Sequence, residues 1–334
     1  MNILTIDFET YYDRDYSLSK LTTEEYVRDD RFEVIGVAVQ ENCAEPEWFS
    51  GTHDEIKKWL GQFSWDNSLV LAHNTMFDSA ILSWVFGIKP MGWLDTLCMA
   101  RATDGIEAGN SLAKLADRYG IGEKGTEVIN ALGLRRSQFD KNQLARYGEY
   151  CKNDVALTYM LCQIMIDRFS KKELKLIDLT ISMFADPILR LDTPLLEQHL
   201  MQVKDRKDKL LESCISDKDT LMSNPKLAEL LISLGVEPPM KISPANGKET
   251  YAFAKNDDGF KQLAEHDDER VQAIVAARLG TKSTLEETRT ERFIGISLRG
   301  KMPVPLRYYA AHTGRWGGDD KLNLQNLPRK SLLK

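Results

Sequence analysis

The sequence predicts an α/β domain over residues 1–170 followed by a mainly helical region, on three observations. Short β-rich apolar runs lie at 2–8, 33–40 and 68–72, with helical signals interspersed among them. From residue 171 onward helical stretches follow one another, and no β-rich run returns until about 303–310. The third observation is size. The 334 residues, 43% hydrophobic and 28% charged, have an ordinary globular composition and length for about two domains of roughly 150 residues.

Asn2 to Phe8 alternates and reads as a strand that runs into carboxylates. Glu33 to Gln40 is a second strand, and Pro46 to Ser50 a short third. Thr52, with Glu55 three residues on, has the capping-box spacing and opens a helix to about Phe63. Ser68 to Ala72 is another apolar strand, followed by a helix from about Phe77 to Phe86. Shorter helices are expected near 94–101 and 111–119, and a long one from about 142 to 169. Beyond the boundary, placed near 170, Lys171 to Leu189 and Thr193 to Ser216 read as helices, the latter with Pro194 at its second position. Further helical stretches at 225–234 and 257–279 flank a loop from Pro238 to Pro244.

Several classes are excluded. No stretch approaches the roughly 18 to 20 apolar residues of a membrane helix. The amino end lacks a positive region and reaches a charge at Asp7, unlike a signal peptide. The five cysteines are odd in number and contain no Cys-x-x-Cys pair, so they read as free thiols in a reducing cytoplasm. The net charge of −6 hides an asymmetry: residues 1–170 carry 26 acids and 17 bases, whereas residues 281–334 carry 11 bases and 5 acids. An acidic front and a basic tail fit a protein that gathers carboxylates around a cation and places phosphate contacts elsewhere. Chance clustering on a solvated surface would look the same, so charge alone does not decide.

The carboxylates decide more. Asp7 and Glu9, two apart on a strand, point to one face, an unfavourable placement unless a cation sits between them. Asp78 stands where the strand at 68–72 gives way to a helix, which is where α/β folds gather ligand groups. Taken alone, an Asp at a helix start is explained by the macrodipole. Tyr150 and Asp154, four apart on a helix, share a face. In order the pieces read Asp-x-Glu, Asn-x-x-Phe-Asp and Tyr-x-x-x-Asp. Hard carboxylate oxygens suit Mg²⁺ or Mn²⁺, not zinc. Two such ions roughly 3.5–4 Å apart could activate a water on one side of a phosphodiester and stabilise the leaving 3′-oxygen on the other.

With these residues the chain resembles the DEDD family of 3′–5′ exonucleases, in the subclass with a tyrosine in its third motif. The resemblance covers about residues 1–170 and implies a ribonuclease H-like fold with a mixed central sheet. It implies Asp7, Glu9, Asp78 and Asp154 as the ligands of a two-metal site, and Tyr150 as the residue that orients the attacking water. Asn74 and Phe77 are expected to position the terminal nucleotide or to pack the motif. His73 and Asp95, the latter in the family-like run Trp93 to Thr96, are expected to be structural. Tyr11 and Tyr12 are candidates for splitting a terminal base pair. A dinucleotide-binding domain is dismissed, because Thr10 to Asp13 follows the first strand in place of a glycine-rich turn.

The tail carries a second resemblance. Thr313 to Trp316 and Asn323 to Arg329 resemble the segment that opens the palm of family A DNA polymerases, especially phage-type enzymes. This implies primer-template contacts for Arg315, Gln325 and Asn326. Thr281 to Arg289 resembles the thumb segment that grips duplex, with Lys282, Ser283, Thr284 and Arg289 as contacts, and Lys241 to Pro244 with Gly247 to Thr250 is phage-polymerase-like as well. On this reading 1–170 is a 3′–5′ exonuclease domain, 171–302 a helical thumb-like DNA-binding region, and 303–334 a truncated start of a palm. The Asp-x-Ser-x-x-Glu segment, the Lys-bearing helix and the His-Asp-Glu of such a polymerase do not follow before Lys334; His53-Asp54-Glu55 is explained by helix capping. Tyr308, Tyr309 and Trp316 are therefore expected to lack their usual sheet, leaving 303–334 disordered or completed by a separate polypeptide carrying the polymerase core.

The function expected is metal-dependent 3′–5′ DNA exonucleolysis releasing 5′-mononucleotides, the proofreading portion of a family A polymerase, in the cytoplasm of a bacterial or phage-infected cell. The partners expected are a single-stranded 3′ end and primer-template duplex, with no membrane. Two alternatives stand beside it: an accessory DNA-binding subunit docking on a separate polymerase, and an RNA 3′–5′ exonuclease.

Overall fold

A computed structural model of the chain describes residues 2–125, 131–282 and 284–327. Two compact units emerge, one built from residues 1–189 and 301–334, the other from 190–300.

The first unit is organised on a five-stranded mixed sheet of order β3-β2-β1-β4-β5. Its strands are β1 (Asn2–Thr10), β2 (Val34–Glu41), β3 (Glu47–Phe49), β4 (Ser68–Ala72) and β5 (Gly92–Asp95). β1 pairs antiparallel with β2 and parallel with β4, and β4 pairs parallel with β5. Leu4, Ile6 and Phe8 of β1, with Val70 and Leu71 of β4, anchor the main core. The helices of this unit are α1 (Thr23–Val27), α2 (His53–Leu60), α3 (Thr75–Ala80), α4 (Thr96–Thr103), α5 (Leu112–Tyr119), α6 (Lys141–Met165) and α7 (Lys171–Ala185). Thr52 and Glu55 form the anticipated reciprocal cap of α2, and Thr22 with Glu25 caps α1 in the same way.

Close approach brings α6 onto the sheet. Trp48 of β3 lies against Gly36 of β2 and Gly148 of α6, and a Cβ at Gly148 would meet its indole at 2.5 Å. Small residues continue the seam, where Ala38 packs with Cys151 and Val155. A β-bulge at Glu9/Thr10 disturbs the β1–β2 register just where the carboxylates emerge.

Several expectations shift. The run expected to be helical from 94 begins as strand: Leu94 and Asp95 pair with β4, and the helix starts at Thr96. The helix at 171 belongs to the first unit, so the division falls at 189/190 and not near 170. The reason is packing: Asp178 of α7 accepts from the Trp93 amide at 2.8 Å, and Phe184 packs on Trp84 with ring centroids 5.1 Å apart.

The segment from 301 also returns to this unit, which corrects, for 303–327, the expectation of a disordered segment or one completed by a separate polypeptide: it packs on α7. Tyr308 is buried, with its hydroxyl bonded to Glu173 of α7. The Trp316 indole donates to Thr180 of α7 at 2.9 Å. Asp320 accepts from the amides of Thr23 and Glu24, capping the start of α1. Two short strands, β8 (Leu306–Arg307) and β9 (Gly317–Gly318), pair within the segment, while 328–334 lie outside the described residues.

In the second unit α8 (Thr193–Glu212) and α13 (Leu285–Arg299) pack as a long pair tied by Lys204–Glu291 and Lys207–Glu287. Helices α9 (Lys218–Met222), α10 (Asn224–Ser233), α11 (Asp258–Gln262) and α12 (Glu269–Lys282) enclose a separate core around Leu227, Phe253, Phe260 and Ile274. The proline-rich loop contains a strand that sequence reading did not place, β6 (Met240–Ile242), paired antiparallel with β7 (Glu249–Tyr251). The run expected as one helix over 257–279 is broken between α11 and α12, where Asp268 bonds the Arg270 guanidinium and amide.

Candidate active site

Strand alternation and the helix register bring the four motif carboxylates and Tyr150 together. Leu4, Ile6 and Phe8 point into the core, so Asp7 and Glu9 face α6. On α6, Tyr147, Cys151 and Asp154 are spaced four and three residues apart and share the face turned to β1. Asp78 lies one turn into α3, where one of its oxygens accepts from the Phe8 amide at 3.1 Å and so ties α3 to β1.

Asp95 builds the entry to α3. Its buried carboxylate accepts from the amides of Asn74 and Thr75 at 3.1 and 3.2 Å, and from Leu97 and Cys98 at the start of α4. One side chain thus caps α4 and braces the turn before Asp78. Asn74 occupies the left-handed region there (φ 75°), a conformation asparagine tolerates better than most residues. His73 is committed on both ring nitrogens, to the Thr96 hydroxyl and the Asn110 carbonyl. Phe77 is half-buried beside Tyr26, and Asn74 is exposed.

Each carboxylate has a close neighbour, and Asp154 has two, Lys124 and the Tyr150 hydroxyl. Cys151 Sγ lies 3.2 Å from Asp7 Oδ2, Tyr147 bonds Glu9, and Lys124 Nζ pairs with Asp154 Oδ2 at 2.7 Å. Lys124 also bonds the Tyr150 hydroxyl and sits 5.2 Å from its ring centroid. Ligand atoms of Asp7, Glu9 and Cys151 lie within 4.8 Å of one another. Asp154 Oδ1 is buried and has no hydrogen-bond partner among the described residues.

Crowding shows in the electrostatics. Burial and then the Asp154 charge push Asp7 up to about 6. Glu9 and Asp78 rise well above the usual carboxylate range, through burial and then the charge of Asp7. Asp154 rises through burial, against the pull of Lys124. Burial also raises Tyr150, so its hydroxyl keeps its proton at neutral pH. Ionised together, these carboxylates would carry more negative charge than the one lysine beside them among the described residues balances.

Lys124, Tyr147 and Cys151 were not among the expected site residues. The spacing of Tyr147 and Cys151 from Asp154 could have revealed that pair. Lys124 stands on a loop, thirty positions before its partner, and no sequence pattern marks it.

Residues 21–169 match the family model described as 3′–5′ exonuclease, of the DNA polymerase A type. This part of the chain is a 3′–5′ exonuclease domain. The matched stretch contains Asp78, Tyr150 and Asp154, and Asp7 and Glu9 precede it. Among solved structures the chain is similar to the POL domain of Pol1 from M. smegmatis in complex with DNA primer-template and dNTP, at 15% identity and a TM-score of 0.61. That alignment covers 99% of this chain and 53% of the other, so the chain spans about half that protein's length. At this identity the likeness is one of fold, and it agrees with the ribonuclease H-like exonuclease domain and helical region anticipated. Brucella melitensis NrnC is also similar, at 14% identity over 54% of this chain and 80% of that one, with a TM-score of 0.41. No curated protein matches. Among the described residues no helix is long and apolar enough to cross a membrane.

The expected DNA contacts fall in two places. Lys282 and Thr284 are exposed at the junction of α12 and α13, and Arg289 is half-buried on α13; Ser283 lies outside the described residues. Arg315 is exposed with its Nε bonded to Thr313, and Gln325 and Asn326 are exposed on a single helical turn near the end of the described chain.

Proposed function

We propose that the exonuclease domain hydrolyses DNA from the 3′ end, releasing 5′-mononucleotides, and serves proofreading in a family A-type polymerase system. Asp7, Glu9, Asp78 and Asp154 would hold Mg²⁺ or Mn²⁺ as a two-metal site. One observation carries this reading: carboxylates from β1, α3 and α6 lie close enough to raise one another's pKa, centred on Asp7, and the buried Oδ1 of Asp154 has no hydrogen-bond partner among the described residues. A buried carboxylate oxygen left unpaired is costly, and a cation is the partner that would satisfy it.

The donor set fits a hard divalent ion. When bound, such ions supply a water of lowered pKa and charge stabilisation for the leaving 3′-oxygen. The chain's own groups do the rest. Tyr150, protonated at neutral pH, presents a hydroxyl that can hydrogen-bond the attacking water. Asp95 and the Phe8 amide keep Asp78 in place. Lys124 supplies a positive charge beside Asp154 and Tyr150 that a scissile phosphate would meet on entry. Lys282, Ser283, Thr284, Arg289, Arg315, Gln325 and Asn326 are proposed to contact the DNA backbone, so binding should weaken with salt.

Digestion of a 5′-labelled single-stranded DNA tests the reading. A ladder of shortening products is expected with Mg²⁺ or Mn²⁺, and none with chelator or with Asp154→Ala. A folded, metal-supplied protein that leaves the strand intact would overturn it. Matched RNA strands run alongside decide between DNA and RNA as substrate.

A further inference from the structure

Outside the carboxylate site the first unit holds a cleft of about 450 Å³, walled by α4, the loop before α5, and the segment that returns from 301. Two guanidinium side chains enter its lining, Arg101 from α4 and Arg307 from β8. Arg307 is paired with Asp319 at 2.9 Å. Arg101 is half-buried, yet forms no hydrogen bond or ion pair among the described residues. The remaining polar wall is His73, Asn110, Ser111 and a single carboxylate, Glu107.

Ser111 is the N-cap of α5, so the positive end of that helix opens on the same space. Its hydroxyl accepts from the Lys114 amide at 3.4 Å, while the amides of Leu112 and Ala113 meet no acceptor among the described residues. Arg101 also borders a second, smaller cleft lined by Asn74 and Met76, which lead into Asp78, and by the carboxylates of Asp95 and Asp319, the first committed to backbone amides and the second paired with Arg307. A half-buried guanidinium whose N–H groups meet no acceptor among the described residues and which feels Asp319 only through space, a second guanidinium and a helix N-terminus together form a receptor for an anion of bidentate geometry.

We propose that this cleft binds a nucleotide phosphate, held by Arg101 and Arg307 at the N-terminus of α5. The phosphate has two possible sources, a free mononucleotide or the backbone of a strand passing the exonuclease site. The exonuclease reading bears only on that source, and the cleft's anion affinity stands without it.

The experiment measures binding of inorganic phosphate, thymidine 5′-monophosphate and a fluorescein-labelled oligothymidylate to the full chain in chelator. Without metal, the ionised carboxylates disfavour anions at the exonuclease site; because the proposed DNA contacts elsewhere also hold the oligonucleotide, the cleft's share of its binding is read as the difference between wild type and the cleft variants. Arg101→Gln is expected to weaken binding about tenfold, as loss of one charge-assisted bidentate contact should, with Arg101→Lys in between. Ser111→Asp preserves the helix cap but adds a negative charge, and should weaken binding similarly. For the oligonucleotide, the slope of log affinity against log salt should fall by about 0.7 in Arg101→Gln.

Losses seen with the mononucleotide mark a free-nucleotide site, and losses confined to the oligonucleotide mark a strand contact; either supports the cleft. Folded Arg101→Gln and Ser111→Asp proteins that bind all three probes like wild type would overturn it. The labelled-strand digestion separates the two proposals. Hydrolysis by wild type with Arg101-independent binding sinks the cleft alone, and Arg101-dependent binding without hydrolysis sinks the exonuclease reading alone.

Discussion

Asp154 gives one oxygen to Lys124 and leaves the other buried with no hydrogen-bond partner among the described residues, so on the proposed reading lysine and metal would share a single carboxylate. Lys124→Met should therefore lower the melting temperature of metal-free protein, and Mg²⁺ should restore more of it than in wild type. Thermal melts with and without chelator check this; equal Mg²⁺ gains in both proteins would refute it. Asp7 adds a pH dependence. Its native pKa of about 6 lies above the ordinary 3.8, so the stability it contributes is complete below 3.8 and is lost as pH rises through 6. Metal binds the ionised form, so the gain in melting temperature from Mg²⁺ should grow as pH rises from about 5 to about 7.5. Tyr150→Phe keeps the ring but removes the hydroxyl; kcat should fall by about 10²-fold with DNA affinity little changed. The acidic residues were legible because their spacing repeats the geometry of strand and helix. Lys124 was not, because a loop carries it.

Single turns and close contacts set the precision of the site. Asp95→Ala would strip the cap from α4 and orphan the amides of Asn74 and Thr75, for about 2–4 kcal/mol by urea unfolding. Activity should fall further than stability explains, since the same turn aims Asp78. Gly148 is the second control point. A side chain there must displace the Trp48 indole, so Gly148→Val should cost about 1–3 kcal/mol and push α6, with Tyr150 and Asp154, off the sheet. The strands β1, β2 and β4 and the capped helix α2 could be read from alternation and capping residues. The β6–β7 hairpin could not. Each of its strands is three residues long, below the length at which alternation gives a signal, and Pro238 and Pro239 mark the stretch as loop.

Across the molecule, the returning segment changes what the chain can do by itself. Hydrogen exchange should show protection at Met302, Val304 and Asp319, whose amides bond Leu189, Met183 and Pro305. Exchange at the unfolded rate there would restore the view that this segment awaits another polypeptide. Removal of 301–334 should destabilise the first unit, because it exposes the surface under Tyr308 and Trp316 and takes the Asp320 cap from α1. It should also abolish the Arg307 wall of the anion cleft.

By itself the sequence determined the α/β character of the first 170 residues, the helical character that follows, and the order of the carboxylate motifs. These are local properties, written in periodicity and spacing. The tertiary structure alone decided that α7 and the segment from 301 complete the first unit, that Lys124 reaches Asp154, and that Arg101 and Arg307 face one cleft. Those contacts join residues far apart in the chain, where no short-range pattern records the free energy of packing.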